Sequence, residues 1–226
     1  MESEDYSVTP EELEALKIAG WVSQGSMEAY VDFLKVVIQE KKTTEWVFIF
    51  DPTLALFMSY EKDKRAAQEV LDSVGMKTHE IILIPLMTRE YRKEFGGDVW
   101  SLLICSKKSQ DVFSFSPCKL QNSNEQRVLD KIKKSLKLDQ EAQPKTIEYK
   151  KAISSPSESG LFVILAMEAI ISSLKETSHL NTEEKKETDQ EKPDHEFLEI
   201  AWKIPPSAAI EKRNSLYQMI KGIKAK

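Results

Sequence analysis

Ser159-Gly160 heads the longest apolar run in the sequence, which continues through Leu161-Phe162-Val163-Ile164-Leu165-Ala166-Met167. A serine there acts as a nucleophile only if a general base lies within hydrogen-bond reach. Glu158 is adjacent, but neighbouring residues at a helix start point apart. The three histidines are His79, before an apolar strand, and His179 and His195, in a charged stretch. Cys105 and Cys118 stand apart with no metal-ligand spacing, and Cys105 sits in a core strand. There is no phosphate loop, zinc motif or nucleotide fingerprint, so no cofactor and no metal is expected. Two readings of the serine remain. The N–H groups of Ser159, Gly160 and Leu161, with a helix dipole behind them, form a start that accepts a carboxylate. Alternatively Ser159 or Ser157 simply caps the helix.

The elements that position these residues follow from apolar periodicity and breakers. Gly160 to Leu174 reads as a helix, apolar nearly all round, with one interior charge at Glu168. At about 15 apolar residues it is too short to cross a bilayer, which takes about 20. It is therefore expected to be the buried central helix of a domain. Upstream, Thr9 caps a helix from Pro10 that stops at Gly20. Ser26 is expected to cap a second helix to about Gln39, with Met27, Tyr30, Val31, Leu34, Val37 and Ile38 on one face. Trp46 to Phe50 reads as a strand ended by Asp51-Pro52. Helices over 53–60 and 63–74 precede strands over 80–86 and 99–105, and 111–115 pairs back as a hairpin. Asn124 to Leu136 reads as an amphipathic helix with Lys131, Lys133 and Lys134 outward. Thr146 to Tyr149 is a short strand. Lys175 to His195 is highly charged and lacks aromatics, so it reads as a mobile insertion, with a docking segment as the alternative. Phe197 to Ile204 returns to the core, and a last helix presents Ile210, Leu216, Ile220 and Ile223. The order implies an α+β domain over 10–226 behind a loose segment 1–9, its central sheet covered by helices.

The chain has 226 residues, 41% hydrophobic and 31% charged, enough to bury a full core without a disulfide or metal staple. A net charge of −5 and a pI near 5.5 argue against nucleic acid as a partner. No membrane span, secretory signal or internal repeat is read. Two unpaired cysteines in such a chain suggest the cytoplasm or nucleus.

Several stretches together resemble one family. Gly96-Gly97-Asp98-Val99-Trp100-Ser101-Leu102-Leu103 is similar to the Gly-Gly-x-His-Trp-Ser-Leu-Leu segment of the SUMO/deneddylase cysteine proteases. Ser159-Gly160-Leu161-Phe162-Val163-Ile164 is similar to their Asp-Cys-Gly-x-Tyr-Val-Ile segment, with Glu158 in the Asp place. Trp21-Val22-Ser23-Gln24 stands where the family has Trp-Leu-Asn-Asp. Val47 to Pro52 resembles the deneddylase branch in particular, and Ile210-Glu211-Lys212-Arg213 resembles the basic start of that family's last helix. The resemblance implies a papain-like ubiquitin-like-protease fold, a mixed sheet flanked by helices around a buried central helix.

Family chemistry joins a thiolate, a histidine and an acid. The matching positions here read Ser159, Val99 and Ser116, and no glutamine stands near Ile153 and Ser154 to hold an oxyanion. A Cys-to-Ser trap would account for Ser159 and for neither of the other two. The resemblance thus implies a pseudoprotease acting by protein binding, either through a retained surface for a SUMO- or neddylation-type modifier or as a subunit of a complex. Trp21, Trp100 and Gly160 would form the channel for the modifier's tail, with both tryptophans as core residues the plainer alternative. A free carboxylate tail would then meet the N–H groups at the helix start. An active isopeptidase using Ser159 or an unrecognised site is the remaining reading.

Overall fold

A computed structural model describes residues 8–18, 20–40, 46–147, 149, 153, 155–180 and 204–224. The helices are α1 (Pro10–Lys17), α2 (Gln24–Glu40), α3 (Pro52–Tyr60), α4 (Lys64–Ser73), α5 (Arg92–Phe95), α6 (Ser123–Leu136), α7 (Ser159–Leu180) and α8 (Ser207–Lys224). The strands are β1 (Val47–Ile49), β2 (Ile81–Thr88), β3 (Val99–Ser106), β4 (Val112–Phe115) and β5 (Lys145–Ile147). They form one five-stranded sheet in sequence order. β1 runs parallel to β2, the β2–β3 and β3–β4 pairs are antiparallel, and β5 runs parallel to β4. The expected mixed sheet flanked by helices is present.

Strand alternation splits the core in two. Ile81, Leu83, Met87, Trp100, Leu102 and Ile104 face α1, α2, α7 and α8. Ile82, Ile84, Leu86, Leu103 and Cys105 face α3, α4 and α6. α7 lies against β3 on one side and against α2 and α8 on the others. That is why its sequence is apolar all round: Leu161, Phe162, Val163, Ile164 and Met167 are all solvent-excluded. Each such side chain contributes about 1.5–3 kcal/mol relative to exposure. At 22 residues the helix is longer than the apolar run suggests, so length alone does not rule out a span. Its packing between sheet and helices is what identifies a core helix.

The interior charge is accounted for by partners on two other helices. Lys212 of α8 donates to Glu168 at 2.7 Å, and the Tyr30 hydroxyl of α2 donates to the same carboxylate. The Lys212 ammonium also lies 5.3 Å from the centre of the Tyr30 ring. Burial, then the hydrogen bond and charge of Glu168, hold the Tyr30 phenol well above the ordinary tyrosine range.

Local expectations differ in a few places. Thr9 caps α1 in a full capping box with Glu12. α2 starts two residues before Ser26, because the Ser23 hydroxyl accepts the Ser26 N–H at 3.2 Å. Ile210 is 64% exposed, since six residues before Leu216 puts it off the buried stripe. Lys133 is buried rather than outward, its ammonium folded back on the Gln140 carbonyl at 2.9 Å. The backbone over 175–180 continues α7. Residues 181–195 of the expected mobile insertion, 197–203 of the returning segment and most of 1–9 lie outside the described residues.

Candidate functional site

The head of α7 meets the start of β3 and the loop between α1 and α2. Ser159 is fully buried, and its hydroxyl accepts the Trp100 backbone N–H at 3.1 Å. Its own N–H donates to the Pro156 carbonyl, because a 3₁₀ turn over Pro156–Glu158 extends the helix upstream. The Ser155 hydroxyl caps that turn by accepting the Ser157 N–H at 3.3 Å. Neither Ser157 nor Ser159 is therefore the cap. The expected carboxylate cradle also loses the Ser159 N–H, which is already paired.

Trp100 is solvent-excluded, and its indole N–H donates to the Val22 carbonyl at 2.8 Å. Gly160 lies beneath them: a Cβ there would sit 2.6 Å from Val22 Cβ and 3.0 Å from Trp100 Cδ1. Glycine is required because the loop backbone and the indole pack directly on the helix. Trp21 is half-buried and lies over Gly97, where a Cβ would come within 2.2 Å of the indole. Gly160 thus packs against Trp100 and Val22, while Trp21 packs on Gly97.

Two clamps fix this arrangement. Arg213 of α8, 7% exposed, donates to the carbonyls of Leu16 and Gly20 at 3.3 and 2.6 Å, holding the loop that carries Trp21. Arg92 grips Asp98 through two hydrogen bonds of 2.7 and 2.6 Å, closing the Gly96-Gly97 turn before β3.

The other matched positions that the structure describes are engaged locally. Val99 is buried at the end of β3, paired with Thr88. The Ser116 hydroxyl donates to the Leu120 carbonyl at 2.8 Å, closing the turn after β4. Ile153 packs partly buried against the core, and Ser154 lies outside the described residues. His79 stands before Ile81, which pairs with Ser106 at the opposite end of β2 and β3 from Val99. Seven residue steps at 3.3 Å put it roughly 23 Å away. His179 is twenty residues up α7, roughly 30 Å along the helix axis from Ser159. His195 lies outside the described residues.

One residue beside the site was not singled out by sequence. The Cys118 thiol lies against the Pro156 carbonyl, at 3.9 Å. Burial pushes it up to about 12, an effect the Ser159 hydroxyl only partly offsets and the Glu158 charge reinforces. On the order of one thiol in 10⁵ is ionised at pH 7. Its only sequence signal is that it follows Ser116 by two positions. Among the described residues no cluster of histidine, cysteine and carboxylate side chains could hold a metal ion.

No protein-family model matches the sequence, and no curated protein matches it. Solved structures do share the fold. A de-sumoylating protease superposes with a TM-score of 0.62 at 17% identity, over 97% of this chain and 89% of that one. The Xanthomonas campestris effector XopD bound to ubiquitin gives 0.57 at 16%, over 88% and 91%. The C-terminal Ulp1 protease domain in complex with Smt3, the yeast orthologue of SUMO, gives 0.58 at 11%, over 96% and 83%. The chain is thus similar in fold to ubiquitin-like-protein proteases across nearly its whole length.

Proposed function

We propose that this chain is a non-catalytic protein of ubiquitin-like-protease fold that acts by binding another protein. One observation carries the reading: the Ser159 hydroxyl is sealed from solvent and accepts the Trp100 backbone N–H. A serine nucleophile needs a general base within hydrogen-bond reach, and His79 and His179 both lie far from this hydroxyl. Cys118 is no substitute, because burial keeps it a thiol.

The preferred partner is a ubiquitin-like modifier. XopD and Ulp1 bind ubiquitin and Smt3 on this fold. The deneddylase-like stretch Val47 to Pro52 puts a neddylation-type modifier first. The half-exposed Trp21 is the tail-facing group. Burial of Trp100 and Gly160 favours a second reading, in which the chain is a subunit of a complex and its partner docks elsewhere.

Immobilised ubiquitin, SUMO and neddylation modifier, titrated with the full chain and with Trp21→Ala, separate the two. The modifier reading predicts saturable binding to at least one, weakened about tenfold by Trp21→Ala. No binding to any of them removes it and leaves the subunit reading.

A further inference from the structure

The outer end of the sheet carries a groove on the side away from Ser159. β5 is the last strand in the sheet, parallel to β4, with Ser114 opposite Thr146. Phe113, Phe115 and Ile147 enter the core under α7, so strand alternation turns Ser114 and Thr146 to the α6 side. A cavity of about 500 Å³ opens there, between β4, the segment 143–147 and the start of α6. Ligand sites commonly span about 300–1,000 Å³.

The polar groups at its mouth are within reach of solvent and unspent. Lys119, Gln121, Gln143 and Thr146 line the cavity, and all four are exposed. Their side chains make no hydrogen bond or ion pair among the described residues. Leu120 and Pro144 add aliphatic carbon to the walls. The lining narrows the choice of ligand. Lys119 is its one cation, too little for a multiply charged anion, and Glu125 its one carboxylate, too little for a metal ion. No aromatic ring lines it to stack on a flat ligand. Primary amides and hydroxyls both donate and accept, and so does a peptide chain.

The neighbouring edge points the same way. Lys145 and Thr146 are exposed, and no backbone group of Lys145, Thr146 or Ile147 bonds beyond the β4 ladder among the described residues. Alternate N–H and C=O groups of an edge strand point away from its neighbour and are free to pair with an added strand. β5 is only three residues long, so its ladder alone holds a partner weakly. The groove beside it adds a seat for a side chain.

We propose that an extended segment of a partner protein adds to the open edge of β5 and seats a neutral polar side chain between Gln121, Gln143 and Thr146. This rests on the reading that the chain acts by binding another protein, and not on that partner being a ubiquitin-like modifier.

The test is an NMR titration of the full chain with the peptide acetyl-Thr-Val-Thr-Val-Thr-amide, beside the same peptide N-methylated at every residue, on wild type and Thr146→Arg. Saturable shifts of the Ser114, Lys145 and Thr146 amides are expected with the first peptide. The N-methylated form cannot donate to the edge and should bind at least tenfold more weakly. Thr146→Arg fills the groove from an exposed position and should weaken the first peptide about tenfold. No saturable shift in folded wild type, equal binding of the two peptides, or unchanged binding in Thr146→Arg overturns the proposal. Should Thr146→Arg fail to fold, the peptide pair on wild type decides alone. Absent peptide binding beside retained binding of an immobilised modifier overturns this inference and leaves the modifier reading standing.

Discussion

Trp100 and Ser159 hold each other, the first giving its backbone N–H to the hydroxyl of the second. Truncating Trp100 therefore strikes the core as well as the site. Trp100→Ala should cost about 3–5 kcal/mol in urea unfolding, by cavity formation and loss of the Val22 hydrogen bond. It is a poor probe of binding, whereas Trp21→Ala, at a partly exposed position, should cost less, about 1–2 kcal/mol, and leave the chain folded. Cys118 should resist iodoacetamide at pH 7.4 while the chain is folded, and react within minutes once urea unfolds it, as read by mass spectrometry. Glu125 supplies a pH signature. Burial raises its folded-state pKa above the ordinary 4.5, so its contribution to stability is full below that pH. The contribution is lost as pH rises through the folded value. A melting-temperature series from pH 4 to 8 should show wild type falling relative to Glu125→Gln as pH rises.

Elements here are joined by a few specific contacts. The α1–α2 loop is placed by Arg213 from α8, and Trp21 rests on the Gly96-Gly97 turn that Arg92 and Asp98 close. Gly97→Ala should lift Trp21 off this turn, shifting its fluorescence to the red, at a cost of about 1–3 kcal/mol. Tyr30, Glu168 and Lys212 bind α2, α7 and α8 together. Most of these elements were legible in sequence. Asp51-Pro52 and the apolar strands mark boundaries that local chemistry sets. Less legible was what depends on tertiary partners. Ser23 displaced Ser26 at the start of α2, Lys133 found a carbonyl to fold onto, and Ser159 met a strand N–H in place of its own helix. None of these leaves a mark in spacing, because each partner comes from the fold or from a neighbouring turn.

At the scale of the whole molecule, the sheet separates two environments. One face carries the head of α7, which the matched segments Gly96 to Leu103 and Ser159 to Ile164 pointed to. The other carries the cavity beside Glu125, lined from β4, β5 and the start of α6, which no motif in the sequence marks. Both faces are built on a fold similar to that of ubiquitin-like-protein proteases, and the account rests on that fold being used without cleavage. The most direct test is a fluorogenic turnover assay of the full chain on ubiquitin, SUMO and neddylation-modifier C-terminal conjugates, run beside Ser159→Ala. The account predicts no release above buffer for either protein. Turnover of any conjugate by wild type that disappears in Ser159→Ala would contradict it.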